Sequence, residues 1–260
     1  MVKNSLRNNL KKSYIRLLSP FSQFNSDLYF LYAHYVSKQS RDLDQVNDLL
    51  QRLNKKVAFI DFEEACYLVT NKKSVSHPVA CFSFDDGFDE VVNGICPIIQ
   101  DLGANPCVFV NPGFIDGDLS KQKQMCEDKY HVIKEPASWD DLSEFINKGG
   151  VVGSHTIDHV NLAIERPESA VIQIIDSRKI IEKKLNNDCK YFAWPYGTAK
   201  DINDKNIAVA LDNYDLVFSA IRSKERFYNH PRVINRDHFE FNWEFRDIKY
   251  FLSKKKVFNL

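Results

Sequence analysis

Short apolar runs alternate with longer amphipathic segments from about residue 28 to the end of the chain. Runs that stay apolar, rather than alternating with polar residues, are typical of parallel strands covered by helices on both faces. The runs predict strands at Tyr29–Val36, Lys56–Ile60, Val79–Phe84, Cys107–Val110, Val151–Ser154, Tyr191–Ala193, Leu216–Ile221 and Arg232–Ile234. Helical spacing of apolar residues predicts helices at about 42–53, 62–70, 89–101, 138–148, 168–185, 201–211 and 239–252. The alternation predicts an α/β fold, and the number of units favours a barrel over an open sheet.

The first 27 residues differ from this pattern. Five basic residues precede the first acidic one, Asp27, and leucines recur there at helical spacing. We expect residues 1–27 to form a basic amphipathic arm and residues 28–260 to form one barrel domain. Such an arm either packs across one end of the barrel or contacts an anionic membrane through residues 1–20.

Composition narrows the class of protein. The chain carries 35 basic and 35 acidic residues, and this balance gives no electrostatic reason to expect a nucleic-acid partner. None of the six cysteines forms a Cys-x-x-Cys pair, which argues against a thiolate zinc site and favours reduced thiols. No apolar run reaches about 18 residues, and no secretory signal is recognisable. We therefore expect a cytoplasmic protein without a transmembrane span, either free or peripheral to the inner membrane.

The segment CFSFDDGFDE, residues 81–90, places two aspartates side by side where an apolar run stops. Mutual repulsion and desolvation both oppose the ionisation of Asp85 and Asp86 unless a positive charge lies nearby. A metal ion would supply that charge if other residues of the chain also bind it as ligands.

The segment VVGSHTIDHVNL supplies two of those ligands. His155 and His159 lie four residues apart in a loop that follows a predicted strand. Two imidazoles and one carboxylate form a three-ligand catalytic metal site with an open position for water. A His-x-x-x-His spacing alone is weak evidence, but the carboxyl ends of parallel strands collect functional residues, and Asp86 follows another strand.

The segment YFAWPYG, residues 191–197, ends a further predicted strand in a rigid turn. The backbone N–H of Tyr196 would be exposed there and could form one half of an oxyanion site, the metal being the other half. Taken alone, Pro195-Tyr196-Gly197 is more often merely a turn.

Together and in this order, the three segments resemble the motifs of the polysaccharide deacetylases, the NodB-homology or family-4 carbohydrate esterases. The family pattern runs Thr-Phe-Asp-Asp-Gly, His-Ser/Thr-x-x-His and Pro-Tyr-Gly. It stands here as Ser83–Gly87, His155–His159 and Pro195–Gly197. The resemblance covers roughly residues 28–252 and implies a distorted (β/α) barrel of about seven parallel strands, TIM-like in shape. Residues 28–260 would then be the catalytic barrel.

The resemblance also implies roles for individual residues. Asp86, His155 and His159 would hold one divalent metal ion, Zn²⁺ in most relatives, with Co²⁺ or Ni²⁺ as alternatives. Asp85 would be the general base for the metal-bound water, and Tyr196 would offer its backbone N–H to the oxyanion.

Three further residues are expected in the substrate cleft. Pro195 and Trp194 flank the third motif, and His34 occupies a strand end as in similar family members. Aromatic rings such as that of Trp194 can stack on sugar faces, although core packing is the ordinary fate of tryptophan.

The chain departs from the family pattern at two points. Several members carry an arginine shortly before Pro-Tyr-Gly that pairs with the catalytic aspartate, whereas this chain has Ala193-Trp194 there. We predict that Arg232 replaces it and lies within hydrogen-bond reach of Asp85; otherwise it is an exposed arginine at a strand end. The late motif that supplies a general-acid histidine is not recognisable, which leaves His230 and His238 as candidates.

The resemblance implies a metal-dependent deacetylase that removes N-acetyl or O-acetyl groups from a bacterial surface polysaccharide or its precursor. The partner would be an acetylated amino-sugar glycan or a sugar precursor such as a nucleotide sugar or lipid-linked unit. Two alternatives remain open: a hydrolase of another small amide that uses the same metal site, and a glycan-binding pseudoenzyme. The intact Asp85 counts against the pseudoenzyme, because a binding module needs no base.

Overall fold

A computed structural model describes residues 22–36 and 42–254 of the chain. Residues 1–21, which make up most of the expected basic arm and all of its expected membrane contact, lie outside the described residues. No helix in the described ranges combines the length and the apolar character that a membrane span requires.

Parallel strands and their connecting helices account for most of the described residues. The strands are β1 (Leu28–Ala33), β2 (Ala58–Phe59), β3 (Val79–Phe84), β4 (Cys107–Val110), β5 (Val151–Ser154), β6 (Tyr191–Ala193), β7 (Leu216–Phe218), β8 (Phe227–Tyr228), β9 (His230–Ile234) and β10 (Asp237–His238). The α-helices are α1 (Leu43–Asn54), α2 (Phe62–Thr70), α3 (Cys96–Asp101), α4 (Pro112–Ile115), α5 (Leu119–Met125), α6 (Trp139–Asn147), α7 (Pro167–Leu185), α8 (Asp204–Asn213) and α9 (Phe245–Lys254). A π-helical turn, Val91–Ile95, leads into α3, and a second, Cys126–Tyr130, follows α5.

The strands form one sheet in the order β10-β1-β3-β4-β5-β6-β7-β9-β8, with β2 paired to the first part of β3. Every pairing is parallel except that of β8 with β9. Because the strands are parallel and joined through helices, each βα unit places the carboxyl end of its strand at the same edge of the sheet.

The sheet is curled, as the surroundings of Phe62 at the start of α2 demonstrate. Its ring lies 6.3 Å from that of Phe30 on β1 and 6.1 Å from that of Phe109 on β4. It also lies 5.3 Å from the ring of Tyr191 on β6 and 5.2 Å from that of Phe218 on β7. Only a curled sheet brings four such widely spaced strands around one side chain, so α2 fills the concave side.

The two ends of the sheet meet through a very short connection. β9 pairs with β7 next to the last strand, β8, at one end, and β10 pairs with β1 at the other end. Only Asn235 and Arg236 separate β9 from β10. The expectation of a distorted (β/α) barrel is therefore confirmed, and Arg236 lies at the point where the curl closes.

Strand residues alternate between two buried apolar clusters, as the two-residue period of a strand requires. Phe30 and Cys81 belong to the concave cluster, together with residues of α2. Their neighbours Leu31 and Phe82 belong to the larger cluster beneath the outer helices. Because both faces are covered, the strands are apolar throughout, and β3, β4, β5 and β6 have the bounds that the apolar runs predict.

The helices differ from the predictions mainly at their ends. α8 begins at Asp204 rather than at 201, because the side chain of Asn203 accepts a hydrogen bond from the Asn206 N–H and caps it. α9 begins at Phe245 rather than at 239, since β10 and a turn occupy the preceding residues. Periodicity did not predict α5, whose residues are largely polar and exposed and which begins at the capping residue Asp118.

Candidate active site

The three sequence segments meet at the carboxyl-terminal edge of the sheet. β3 ends immediately before Asp85, β5 immediately before His155, and β6 immediately before Trp194. β4 lies between β3 and β5, and β6 pairs with β5. Neighbouring parallel strands end at one edge, so residues far apart in the chain face one cleft.

The backbone after β3 separates the directions of the two aspartates. The Asp85 N–H still donates to the Ala33 carbonyl at 3.1 Å, whereas Asp86 is left-handed with φ +75° and Gly87 follows at φ +71°. A Cβ at Gly87 would lie 2.9 Å from Cγ1 of Val110, so this turn requires glycine. A left-handed backbone conformation is uncommon for a non-glycine residue. At Asp86 it gives the carboxylate a direction that regular strand alternation would not allow.

Asp86 faces both histidines. Its Oδ1 lies 3.7 Å from Nε2 of His155 and 3.4 Å from Nε2 of His159. Each of the three residues offers one ligand atom, and these three atoms lie within 4.8 Å of one another. All three residues are buried. Asp86 Oδ1 and His159 Nδ1 are buried without a hydrogen-bond partner among the described residues. Converging, unsatisfied donor atoms of this O/N/N type fit a divalent cation.

Burial sets the protonation of this cluster. It raises the pKa of Asp86 well above its usual value, and the adjacent Asp85 adds to that rise. Burial lowers the pKa of His155 to about 4 and that of His159 well below its usual value. Both imidazoles are therefore neutral near pH 7, which is the form that ligates metals.

A backbone contact orients His155. Its Nδ1 lies 2.8 Å from the carbonyl oxygen of Ala193 at the end of β6. A carbonyl only accepts, so Nδ1 carries the proton and Nε2 presents its lone pair to Asp86.

Asp85 pairs with Arg236, and its charge also acts on the nearby His155. Arg236 donates from Nη1 to Oδ1 at 2.7 Å and from Nη2 to Oδ2 at 2.9 Å, and both side chains are buried. Burial alone would raise the pKa of Asp85, but the charge and hydrogen bonds of Arg236 hold it below its usual value. One aspartate is thus kept ionised by an arginine, while its neighbour turns to the two imidazoles.

The predicted contact between Arg232 and Asp85 is wrong. Arg232 donates instead to the carbonyls of Leu211 and Tyr214, at 3.0 and 3.3 Å, where α8 ends. It lies inside β9, whereas Arg236 follows the end of that strand. Arg232 and Arg236 are four positions apart, which corresponds to about 13 Å of extended chain. This distance separates Arg232, inside the sheet, from the edge that carries Asp85.

The third segment forms the expected turn, but Trp194 does not line it. The ring of Trp194 is 1% exposed and packs 5.2 Å from the ring of Phe192, so its expected stacking on a sugar is wrong. Tyr196 is 43% exposed, with φ +61°, and its ring lies 5.0 Å from that of His159. Pro195 is buried beside it, and its carbonyl accepts from the Gly197 N–H at 2.6 Å. Of these residues, Tyr196 alone presents its side chain to the cleft.

His34 follows β1 and lies partly exposed beside the Asp85–Arg236 pair, whose charges influence its pKa; burial is the larger effect and lowers that pKa. Its ring lies 6.1 Å from that of His238 on β10. Burial also lowers the pKa of His238, to about 3. His230, by contrast, begins β9 at the amino-terminal edge, where its Nδ1 accepts from the Arg232 N–H at 3.1 Å. Of the two histidines considered as general acids, His238 therefore lies nearer Asp85.

Two polar residues that the sequence analysis did not single out support the histidine loop. The side-chain amide of Asn111, fully buried after β4, donates to the carbonyls of His155 and Thr156, the latter at 3.0 Å. Its Oδ1 accepts from the Tyr130 hydroxyl at 3.1 Å, and the Tyr130 ring lies 5.1 Å from that of His159. Asn111 stands directly after an apolar run, and this position in the sequence could have indicated a residue of the site.

A curled parallel sheet that presents an Asp-His-His cluster beside an arginine-bound aspartate defines a β/α-barrel hydrolase. The sequence model of the polysaccharide deacetylases matches residues 72–214, more than half of the chain. The chain belongs to this family, whose members are hydrolases that act on amide or ester bonds.

Several known proteins are similar to this chain. The Bacillus subtilis (strain 168) protein named "Putative polysaccharide deacetylase YxkH" is 23% identical over 135 residues, which are 52% of this chain and 43% of that relative. The chain thus spans less than half the length of this curated relative.

Two solved structures share the fold. The structure of Streptococcus pyogenes deacetylase PplD in complex with acetate has a TM-score of 0.69 at 20% identity, covering 85% of this chain and 96% of PplD. The structure of IcaB from Ammonifex degensii has a TM-score of 0.72 at 19% identity, covering 89% of this chain and 99% of IcaB.

Proposed function

We propose that this protein is a metal-dependent deacetylase that hydrolyses N-acetyl or O-acetyl groups of a bacterial surface polysaccharide or its precursor. The observation that carries this proposal is that two adjacent aspartates have different partners. Asp86 turns to two neutral imidazoles, and Asp85 is held ionised by Arg236. A site that only bound glycans would have no use for the second, ionised carboxylate.

Asp86, His155 and His159 would hold one divalent cation, with Zn²⁺ favoured by a ligand set of two nitrogens and one oxygen. When bound, such an ion lowers the pKa of a coordinated water and polarises the substrate carbonyl. Co²⁺ or Ni²⁺ would fit the same donors.

Asp85 would act as the general base that removes a proton from the attacking water. Its ionised state and fixed direction support this role, since a base must be unprotonated and aimed at the proton it accepts. Tyr196 would donate its backbone N–H to the tetrahedral oxyanion, a role supported by the position of its ring against that of His159.

Family membership supports an acetylated amino-sugar glycan, or a sugar precursor, as substrate. Tyr196 and His34 lie on two sides of the cleft, beside the metal cluster and beside Asp85 respectively. Six free, buried cysteines support a reducing compartment, in keeping with a cytoplasmic site of action on an unfinished precursor.

Acetate release tests the proposal. Chelator-treated protein reconstituted with Zn²⁺ is incubated with N-acetylglucosamine oligomers, with an O-acetylated glycan and with a small N-acetyl amide. Release from a glycan that stops after chelation supports the proposal, whereas release from the small amide alone points to an amide hydrolase using the same site.

The matched control for that assay is Asp85→Asn. It should keep its Zn²⁺ and lose two to four orders of magnitude of turnover, roughly the contribution of a general base. A protein that binds the oligomers and Zn²⁺ but releases no acetate from any substrate would be a binding module, and the proposal would be wrong.

A further inference from the structure

Asp201 is a buried carboxylate that joins two loops of the site. Asp201 is only 3% exposed and lies five positions after Tyr196. Oδ2 accepts from the Thr198 N–H at 3.1 Å and from the Thr198 hydroxyl. Oδ1 accepts from the side-chain amide of Asn161 at 2.8 Å. A buried charge needs such donors, and here they come from the loop after β6 and the loop after β5.

The loop after β6 has a backbone that needs external support. Tyr196 and Gly197 are both left-handed, with φ +61° and φ +60°. A left-handed non-glycine residue costs roughly 1–3 kcal/mol and persists where its surroundings hold it. The Gly197 carbonyl accepts from the Ala220 N–H at 2.8 Å on one side of this turn. Thr198, the next residue, is held by Asp201 on the other side.

The loop after β5 is tied to the same carboxylate. Asn161 follows the metal-ligand candidate His159 by two residues, and its Oδ1 accepts from the Ala163 N–H at 3.0 Å. With its acceptor so engaged, the Asn161 amide group points its N–H to Asp201. The bond between Asn161 and Asp201 therefore connects the loop of His159 to the turn of Tyr196.

We infer that Asp201 is a positioning residue that fixes the Tyr196 backbone N–H relative to His159. The inference rests on the proposed function, in which that N–H meets an oxyanion formed beside the metal. Because the oxyanion develops only in the transition state, loosening the turn lowers kcat and leaves KM nearly unchanged.

The test exchanges the two side chains. In Asp201→Asn, one oxygen still accepts from Thr198, but the new amide meets the amide of Asn161 donor to donor. In Asn161→Asp, two carboxylates face each other. In the double variant N161D/D201N, the donor and acceptor are exchanged, so the link between the loops is restored, and the carboxylate at position 161 still accepts from the Ala163 N–H.

Amide hydrogen exchange of Gly197 and Thr198, whose N–H groups donate to the Pro195 carbonyl and to Asp201, measures the turn without reference to activity. We expect about tenfold faster exchange there in each single variant and near wild-type exchange in the double variant. Asp61→Asn, which weakens the comparable 2.8 Å bond to the Asn105 N–H elsewhere in the fold, should leave these amides unchanged.

Kinetics supply the second readout. Asp201→Asn should lower kcat for acetate release by at least about tenfold, part of the 10²–10³ that an oxyanion donor contributes, with KM and bound Zn²⁺ unchanged. The double variant should recover most of kcat. Unchanged exchange in Asp201→Asn, or a double variant no better than the single ones, would overturn the inference. A wild-type protein that releases no acetate would sink the proposed function alone, because the exchange data would still decide the role of Asp201.

Discussion

Arg236 holds Asp85 through two parallel hydrogen bonds of 2.7 and 2.9 Å, and both side chains are buried. The guanidinium also donates from Nε to the Ser219 carbonyl at 2.9 Å and lies 4.4 Å over the ring of Tyr32. These contacts fix the plane of the guanidinium, and the guanidinium in turn fixes the carboxylate. Asp85 is therefore both ionised and directed.

Substitution of Arg236 by lysine should impair catalysis, because one ammonium cannot reproduce the two-point contact. We expect Arg236→Lys to lower kcat at least about tenfold, since the general base loses its orientation. With less compensation, the pKa of Asp85 rises, so the acidic limb of the kcat/KM profile moves to higher pH. The pH dependence of acetate release measures both effects.

Arg232→Lys is the matched control, since the guanidinium of Arg232 donates to the carbonyls of Leu211 and Tyr214 and not to Asp85. Its kcat and its pH profile should match those of the wild type. Equal losses in the two lysine variants would contradict the assignment of Arg236.

The same ion pair predicts a pH-dependent stability of the metal-free protein. The folded-state pKa of Asp85 is depressed, so its contribution is fully present above the unfolded pKa of about 3.9 and disappears as pH falls toward the folded value. Arg236→Met should lower the free energy of unfolding at pH 7 by about 3–5 kcal/mol, because an unpaired buried carboxylate remains. The unpaired Asp85 of the variant has a raised pKa and takes up a proton first, so urea unfolding should find this difference shrinking as pH falls from 7. It should shrink further below about pH 3.9, where the wild-type pair loses its contribution, and a pH-independent difference would argue against an ionised pair.

The ends of strands explain why the sequence predicted some site residues and not others. Asp85, Asp86 and His155 stand immediately after unbroken apolar runs, so their place at the carboxyl edge follows from the pattern. The last predicted strand, Arg232–Ile234, ends where β9 ends, but the segment RVINRDHF carries one arginine inside the strand and one beyond it, and the prediction chose the first. β9 ends at Ile234, and the rule that selects Asp85 would select Arg236, the arginine beyond the strand.

Other features depend on contacts between distant parts of the chain. Trp194 follows a strand as a cleft residue would, yet its backbone N–H donates to the Phe218 carbonyl at 3.1 Å and its side chain is buried in the core. Asn111 and Tyr130 are 19 residues apart and reach the histidines through the packing of the π-helical turn Cys126–Tyr130 on the segment after β4. Periodicity describes which face of an element is buried and does not specify such pairings.

The metal cluster predicts a ligand-dependent stability. Asp86 is buried with a raised pKa and an Oδ1 that lacks a described partner, so a bound cation should relieve that cost. Zn²⁺ at 100 times its Kd should raise the free energy of unfolding by about 2.7 kcal/mol, seen as an upward shift in Tm. Asp86→Ala and His155→Ala should lose this shift together with stoichiometric Zn²⁺. His230→Ala, at the opposite edge of the sheet, should keep both. A full shift in the Asp86 variant would place the cation elsewhere.

Asn111 should govern metal affinity without touching the ion. Its amide holds the carbonyls of His155 and Thr156, and Thr156 is itself left-handed at φ +66°, so the loop depends on this contact. Asn111→Leu removes both bonds, and we expect Zn²⁺ affinity to fall about 10–100-fold, the usual effect of losing a group that orients metal ligands. Competition with a chromophoric chelator measures this affinity directly.

Tyr130→Phe tests the next member of that chain and should have a smaller effect. It removes the hydroxyl that donates to Asn111 but keeps the ring against His159, so the loss of affinity should stay below about tenfold. Tyr29→Phe is the matched control, because it deletes another buried hydroxyl, which donates to the Asn25 carbonyl at 3.3 Å near the amino-terminal end of β1. Both phenylalanine variants should lose similar stability, about 1 kcal/mol for one hydrogen bond. Only Tyr130→Phe should weaken Zn²⁺ binding; equal affinities in the two would mean that the hydroxyl of Tyr130 supports the fold and not the metal site.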